Sequence, residues 1–125
     1  MIQIDGSIGG GQLLRTALSL SAYTGKPFKI VNIRGQRKEG GLKHQHLAAV
    51  DAVAKICNAG VKGNSLGSKD LEFKPNEIQA GRYRFTIGTA GSALLVLQTL
   101  IPVLLRGKEK SIIRVGGGTD NPQAP

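Results

Sequence analysis

Two stretches of the chain share one order of features: an alternating strand pattern, a turn of small residues and an apolar helix pattern. The first is DGSIGGGQLLRTALSL (residues 5–20) and the second is TIGTAGSALLVLQTL (residues 86–100). Glycine permits a tight turn between strand and helix, and apolar residues at helical spacing indicate one buried helix face. The offset of 80 residues between Gly11 and Gly91 therefore predicts an internal structural repeat.

The patterns between these stretches complete a first unit. Strand-like alternation occurs in PFKIVNIR (residues 27–34), a helix pattern runs over residues 42–56, and two short strands, VKGNS and LEFKP, flank a turn. The order is β-α-β-α-β-β over residues 1–75, and residues 76–125 begin a second copy. We therefore predict an α/β fold (α+β layered) of repeated βαβαββ units, with helices covering one face of the sheet.

The chain is strongly basic, with 17 Lys and Arg against 8 Asp and Glu and a formal net charge of +9. This balance favours a polyanionic partner, which would be a nucleic acid, a nucleotide or an anionic lipid. The alternative is a soluble protein that is basic without such a partner. Six of the cations lie in the segment from Lys26 to Lys43, where Glu39 is the single acid, so positive charge is concentrated along the second strand and the loop that follows it.

Cysteine usage and hydropathy indicate a cellular compartment. The single cysteine, Cys57, excludes a disulfide framework and fits a reducing, cytoplasmic location. Residues 1–9 lack the basic and apolar regions of a signal peptide. The longest apolar run, residues 93–105, is too short and too polar to span a bilayer. We expect a cytoplasmic protein with no membrane partner, and the sequence does not indicate its oligomeric state.

Four blocks, in order and at near-constant spacing, resemble one known family. They are DGSIGGGQLLRTALSLSAYTGKPFKIVNIR, GLKHQHLAAVDAVAKIC, YRFTIGTAGSALLVLQTLIP and GGGTDNP. Together they resemble the N-terminal part of the RNA 3′-terminal phosphate cyclases. The resemblance implies the repeated βαβαββ unit, a fold shared distantly with enolpyruvyl transferases, and a longer chain of which these residues are about the first third.

The resemblance also implies an activity: an ATP-dependent enzyme, of the ligase or nucleotidyl-transfer type, that converts an RNA 3′-phosphate into a 2′,3′-cyclic phosphate. In the family a histidine attacks the α-phosphate of ATP, AMP passes from the enzyme to the RNA 3′-phosphate, and the neighbouring 2′-OH displaces AMP. The implied cofactors are ATP and a divalent cation, Mg²⁺ or Mn²⁺. The partner is an RNA 3′-phosphate end. Because the nucleophilic histidine lies beyond residue 125, we expect residues 1–125 alone to be inactive.

The family pattern carries over to seven positions of this chain. Those it marks as catalytic are Arg15, Arg34, Arg37 and His46. Those it marks as cofactor-binding are Gln45, Gln98 and Pro125. Arginine suits forked phosphate contacts, and a glutamine amide can bind a base or a phosphate. Without the resemblance, Arg15 could equally be a solvated helix residue and His46 a helix cap, whereas Gln98 among leucines needs a hydrogen-bond partner or a solvent-facing position.

One departure from the family affects the metal site. The family reads GEGGGQ where this chain reads GGGQ from Gly9, so a glutamate that is a candidate metal ligand is missing between Gly9 and Gly10. The gap is either a true deletion or a loop segment absent from the sequence, and the metal ligands stay unknown. The gap favours a second hypothesis, a non-catalytic cyclase-like protein that binds RNA in ribosome biogenesis. An enolpyruvyl transferase rests on fold analogy alone.

Overall fold

The computed structural model describes residues 1–7, 9–106 and 111–117. Within these ranges the elements in chain order are β1 (Ile2–Asp5), α1 (Gly11–Thr24), β2 (Phe28–Val31), α2 (His44–Cys57), β3 (Gly60–Lys62), β4 (Leu71–Lys74), β5 (Arg82–Ile87), α3 (Ala90–Arg106) and β6 (Ile112–Gly117). The order of elements is the one that the sequence predicts. The alternation of strands and helices confirms the α/β fold.

The strands form two sheets with the same parallel crossover. The first sheet has the order β1-β2-β4-β3, and the second contains β5 and β6. β1 is parallel to β2, with α1 connecting them, and β5 is parallel to β6, with α3 connecting them. β4 lies antiparallel to both β2 and β3. Each sheet thus contains a β-α-β crossover, in which the helix returns the chain so that the second strand can run parallel to the first.

Burial along the strands identifies the face of the first sheet that meets the helices. Phe28 and Ile30 on β2 and Leu71 and Phe73 on β4 are buried, and the rings of Phe28 and Phe73 stack with their centroids 5.7 Å apart. The residues between them are more exposed. Because successive side chains of a strand point to opposite faces, the apolar set forms one face, and that face packs on the helices.

Several element ends follow from single residues. α1 and α2 end at Gly25 and Asn58, whose φ angles of 77° and 49° are left-handed. α2 begins at His44 rather than Leu42, because Lys43 has extended backbone and is the N-cap. β3 ends at Lys62, earlier than the predicted VKGNS strand, because Gly63 turns the chain at φ 84°.

The three helices pack against one another, and α3 is buried along one side. Val96, Leu100 and Val103 are fully buried, whereas Leu94 and Ile101 are 56% and 46% exposed. The hydroxyl of Ser19 on α1 donates a 2.7 Å hydrogen bond to the carbonyl oxygen of Thr99 and so ties α1 to α3. In the part of the chain that the structure describes, no helix is long and apolar enough to cross a membrane.

Candidate functional site

α1 begins directly at the glycine turn, and its first backbone N–H groups are open. Gly10 is the N-cap, with φ −102° and ψ −154°, and among the described residues no side chain hydrogen-bonds to cap the helix. The first N–H groups of a helix have no internal partner and carry partial positive charge. This end of α1 therefore has the electrostatic character of an anion site.

Three basic side chains from different segments converge on this turn. A Cβ atom built on Gly11 would lie 2.7 Å from Nη1 of Arg15 and 3.0 Å from Nε2 of His46. A Cβ built on Gly10 would lie 3.3 Å from Nη2 of Arg37. Arg15 comes from α1 itself, Arg37 from the loop after β2 and His46 from the first turn of α2. A methyl group at Gly11 would displace the Arg15 guanidinium and crowd the His46 ring, so glycine leaves room for both groups beside the turn.

The loop that carries Arg37 is held by Arg34. Nη1 of Arg34 donates hydrogen bonds to the carbonyl oxygens of Glu39, at 3.0 Å, and Gly41, at 3.1 Å. Its backbone N–H donates to the carbonyl oxygen of Gly6, at 3.0 Å, so the loop is also anchored to the end of β1. The described contacts of Arg34 therefore position the loop, a role that the sequence pattern did not predict.

His46 is buried, with 4% of its surface exposed, and it caps its own helix. Its Nδ1 accepts a 2.9 Å hydrogen bond from the backbone N–H of Lys43. Glutamate or glutamine at this third helical position plays the same part in a capping box. Because Nδ1 is an acceptor, the proton of the neutral ring lies on Nε2, the atom next to Gly11. His46 therefore presents an N–H donor to the turn.

The surroundings of His46 keep the ring neutral. Burial, and then the positive charges of Arg34, Arg15 and Lys43, lower the pKa of His46 from 6.5 to about 4. A histidinium would add a further charge to a cluster of cations that already lacks an anion. At neutral pH the site thus contains two permanent guanidinium charges and one neutral donor.

The shifted pKa makes stability depend on pH in a defined interval. Below pH 6.5 the unfolded chain protonates His46, whereas the folded chain does so only near pH 4, so stability falls as the pH decreases through this interval. Above pH 6.5 this residue contributes no pH dependence. His46→Gln keeps an acceptor for the Lys43 N–H and removes the titration, so we expect a flatter profile. Urea unfolding of the full-length protein at several pH values measures it.

His44→Gln is the matched control, because His44 is exposed on the same helical turn. This variant should keep the wild-type pH profile. An equal pH dependence in wild type and His46→Gln would contradict the assignment.

Arg15 also lines a cleft between α1 and α3, and Gln98 lies on the opposite wall. The cleft has a volume of about 420 Å³. Gln98 is exposed, so it has the solvent-facing position that is one of the two expected for a polar side chain among leucines. Pro102 lacks the N–H that would bond the Gln98 carbonyl in a regular helix, which leaves a polar backbone group on this wall. The lining residues are Gln12, Arg15, Thr16, Ser19, Leu20, Tyr23, Gln98, Thr99 and Pro102.

The second small-residue turn differs from the first in being capped. Oγ1 of Thr89 accepts a 3.1 Å hydrogen bond from the backbone N–H of Ser92, and the Thr89 hydroxyl donates a 2.9 Å hydrogen bond to Oγ of Ser92. This is an N-cap supplied by the chain itself, and it occupies a donor at the start of α3 that is open in α1. The spacing of Thr89 and Ser92 carries the signal in the sequence, although our sequence interpretation did not use it. Of these two turns, only the first therefore lacks a side-chain cap among the described residues.

The family model described as RNA 3′-terminal phosphate cyclase matches residues 7–125. The chain belongs to the RNA 3′-terminal phosphate cyclase family. It is 56% identical over 124 residues to the RNA 3′-terminal phosphate cyclase of Ectopseudomonas mendocina, which covers 99% of this chain and 36% of that relative. It is 55% identical over 125 residues to the one from Pseudomonas fluorescens, covering 100% of this chain and 36% of the relative. The chain spans about a third of the length of these curated relatives.

The structure brings some of the residues that match the cyclase family together and leaves others apart. Arg15, Arg37 and His46 meet at the glycine turn, with Arg34 behind them. Gln98 is connected to this group by the cleft that Arg15 lines. Gln45 is exposed in the first turn of α2 and is not among the residues that line the cleft. Pro125 lies outside the described residues.

Over residues 1–7, 9–106 and 111–117, no group of three or more His, Cys, Asp or Glu side chains is placed to hold a metal ion. The metal ligands of this cyclase-family chain therefore stay unassigned.

Proposed function

We propose that the full-length protein uses ATP to convert an RNA 3′-terminal phosphate into a 2′,3′-cyclic phosphate, through enzyme–AMP and RNA–adenylate intermediates. The observation that carries this proposal is the convergence of Arg15, Arg37 and the Nε2–H of His46 on the open N-terminus of α1. Two fixed cations, a neutral donor and free backbone N–H groups suit a polyphosphate. Membership of the cyclase family supplies the reaction class.

Each residue has a distinct part in this proposal. Arg15 and Arg37 offset the negative charge of the phosphates, and this stabilisation grows as charge develops during transfer. Arg34 keeps the loop, and with it Arg37, in place. His46 donates a hydrogen bond without adding charge. Gln98 contacts the nucleotide from the cleft.

His46 is not the nucleophile in this proposal. Its Nδ1 lone pair accepts the Lys43 N–H and its Nε2 carries the proton, so neither nitrogen offers a free lone pair to the α-phosphate. We assign the nucleophile to a histidine beyond residue 125. We also assign nucleotide binding to Gln45 and Pro125, as the family pattern implies.

The remaining partners follow from the reaction. The substrates are ATP and an RNA 3′-phosphate end, and a cytoplasmic location fits both. A divalent cation, Mg²⁺ or Mn²⁺, would neutralise part of the triphosphate charge. Because the described side chains do not form a metal site, we assign this ion no residue and no step.

Incubation of the full-length protein with α-labelled ATP and an RNA that ends in a 3′-phosphate tests the proposal. We expect an acid-labile AMP label on the protein and a cyclic phosphate on the RNA, and no product from RNA that ends in a 3′-hydroxyl. Residues 1–125 alone should acquire no label. If the protein binds RNA but forms neither the AMP label nor the cyclic product, the result would instead support the non-catalytic hypothesis. The absence of the family glutamate after Gly9 favours that hypothesis.

Gln98→Leu tests the role of the cleft. The side chain is exposed, so the variant should fold with a free energy of unfolding within about 0.5 kcal/mol of wild type. We expect its affinity for ATP to fall about tenfold, the loss of one hydrogen bond to a charged ligand. Calorimetric titration measures the affinity. Gln3→Leu, which changes an exposed glutamine on β1, is the control, and an ATP affinity unchanged in both variants would make Gln98 a structural residue.

A further inference from the structure

The outward face of the second sheet carries three arginines. Arg82 and Arg84 on β5 and Arg114 on β6 are exposed, while the alternating residues Tyr83 and Phe85 pack toward the core. In the parallel register Arg84 lies directly beside Arg114. Like charges side by side on one face destabilise a sheet. A bound anion would offset this repulsion.

The outward face of the first sheet is different, because acids lie among its cations. Glu72 is the register partner of both Lys29 and Lys62, and it forms an ion pair with Lys74 at 3.5 Å. Over the described ranges, neither of the two ion pairs, Lys74–Glu72 and Lys43–Glu39, includes an arginine of the second sheet. In the described chain, the three arginines of the second sheet therefore form a charged surface without compensating acids.

We propose that Arg82, Arg84 and Arg114, the arginine face, contact the phosphate backbone of the RNA upstream of its 3′ end. This inference rests on the proposed function, because that function brings an RNA strand to the protein. Guanidinium forks suit phosphate oxygens. Alternate residues on one strand are about 6.4–6.8 Å apart, and neighbouring strands are about 4.8 Å apart, so three forks form a compact group that can bind consecutive phosphates.

The composition of this face also defines what it recognises. The other outward residues with described side chains are Thr86 and Ile112, and neither offers a ring on which a base could stack. Phosphate contacts fix the position of a strand but do not read its sequence. The arginine face should therefore bind RNA without sequence preference and with strong salt dependence.

The test compares two triple variants of the full-length protein. Arg82→Ala/Arg84→Ala/Arg114→Ala removes the arginine face, and Lys29→Ala/Lys62→Ala/Lys74→Ala removes three charges from the first sheet. Binding of RNA ending in a 3′-phosphate is measured by fluorescence anisotropy over a range of salt, without ATP. For a strand of about 20 nucleotides, we expect the arginine variant to bind at least about tenfold more weakly. Its slope of log K against log salt should shrink by about 2, for three lost contacts.

A very short oligonucleotide that reaches only the reacting end should bind the arginine variant and wild type equally. ATP affinity should also be unchanged, because the face is remote from the glycine turn in sequence and lies on the opposite side of its sheet from the helices. Long-strand binding lost equally in both triple variants would overturn the proposal in favour of net charge. Long-strand binding lost in neither would overturn it outright.

A polyglutamate peptide is the competing ligand. If the arginine variant no longer binds this peptide but binds the long RNA like wild type, the arginine face binds an acidic protein and the proposal is wrong. Failure of the proposed function gives a different result, since a protein that forms no AMP label can still show the difference in RNA binding between the two triple variants.

Discussion

Full-length protein with both Arg34→Ala and Arg37→Ala is expected to form the AMP adduct at least about 100-fold more slowly than wild type. A hydrogen bond from arginine to a phosphate contributes about 1.5–3 kcal/mol, and each 1.4 kcal/mol is a factor of ten in rate. Arg37 supplies such a contact directly from beside Gly10, and Arg34 supplies the loop geometry through the carbonyl oxygens of Glu39 and Gly41. Rates of AMP labelling with α-labelled ATP give the measurement.

The single variants separate the two roles. Arg37→Ala should lose labelling with unchanged stability, because Arg37 is exposed. Arg34→Ala should lose labelling and also unfold at lower urea concentration, because two carbonyl groups of the loop lose their donor. Lys38→Ala is the matched control, an exposed cation in the same loop. Wild-type labelling in the double variant would refute both assignments.

Gly11→Ala is expected to abolish most nucleotide binding while the protein stays folded. The new Cβ would lie 2.7 Å from Nη1 of Arg15, so the guanidinium must shift away from the turn. It would lie 3.0 Å from Nε2 of His46, a tight contact that crowds the ring. Alanine is the better helix former by about 1 kcal/mol, so the helix itself should not be weakened. We expect ATP affinity to fall at least about tenfold, since the contact of the displaced Arg15 to a charged phosphate contributes about 1.5 kcal/mol or more.

The chain contains its own control for this substitution. At Gly91, 80 residues later at the start of α3, an added Cβ would meet no described atom within 4 Å apart from its chain neighbours and the backbone of its own helix. Gly91→Ala should therefore bind ATP like wild type. Calorimetry on both variants, with thermal unfolding as the check on folding, measures the difference. Equal losses in the two variants would mean that glycine is needed for backbone freedom rather than for space.

The sequence predicted the parts of the fold that depend on local patterns. The alternation along residues 27–34 predicted β2. Gly25 predicted the end of α1, and the residues from Asn58 predicted the end of α2. The pairing of β2 with β4 could not be predicted in the same way, because these strands are distant in the chain, with α2 and β3 between them. The division into units of residues 1–75 and 76–125 remains a prediction.

The sequence indicated candidate residues for the site but not what each side chain contacts. The family pattern marked Arg15, Arg34, Arg37 and His46, yet no pattern distinguishes an arginine that faces a phosphate from one that bonds two carbonyls of its own loop. That difference depends on the left-handed φ of 52° at Arg34 and on the path of the loop. The tautomer of His46 likewise depends on one hydrogen bond to Lys43 that forms only when α2 does.

The strand order has a consequence for how the chain acquires its structure. In the β3–β4 hairpin, Val61 pairs with Phe73, 12 residues away, whereas in the β2–β4 ladder Phe28 pairs with Phe73, 45 residues away. Because closing a longer loop costs more entropy, we expect the β3–β4 hairpin to form before the β2–β4 ladder. The loop that carries Arg37 lies between β2 and β4 in the chain, within the segment that the β2–β4 pairing closes. We therefore expect the Arg37 guanidinium to reach its final place beside Gly10 only after the hairpin has formed.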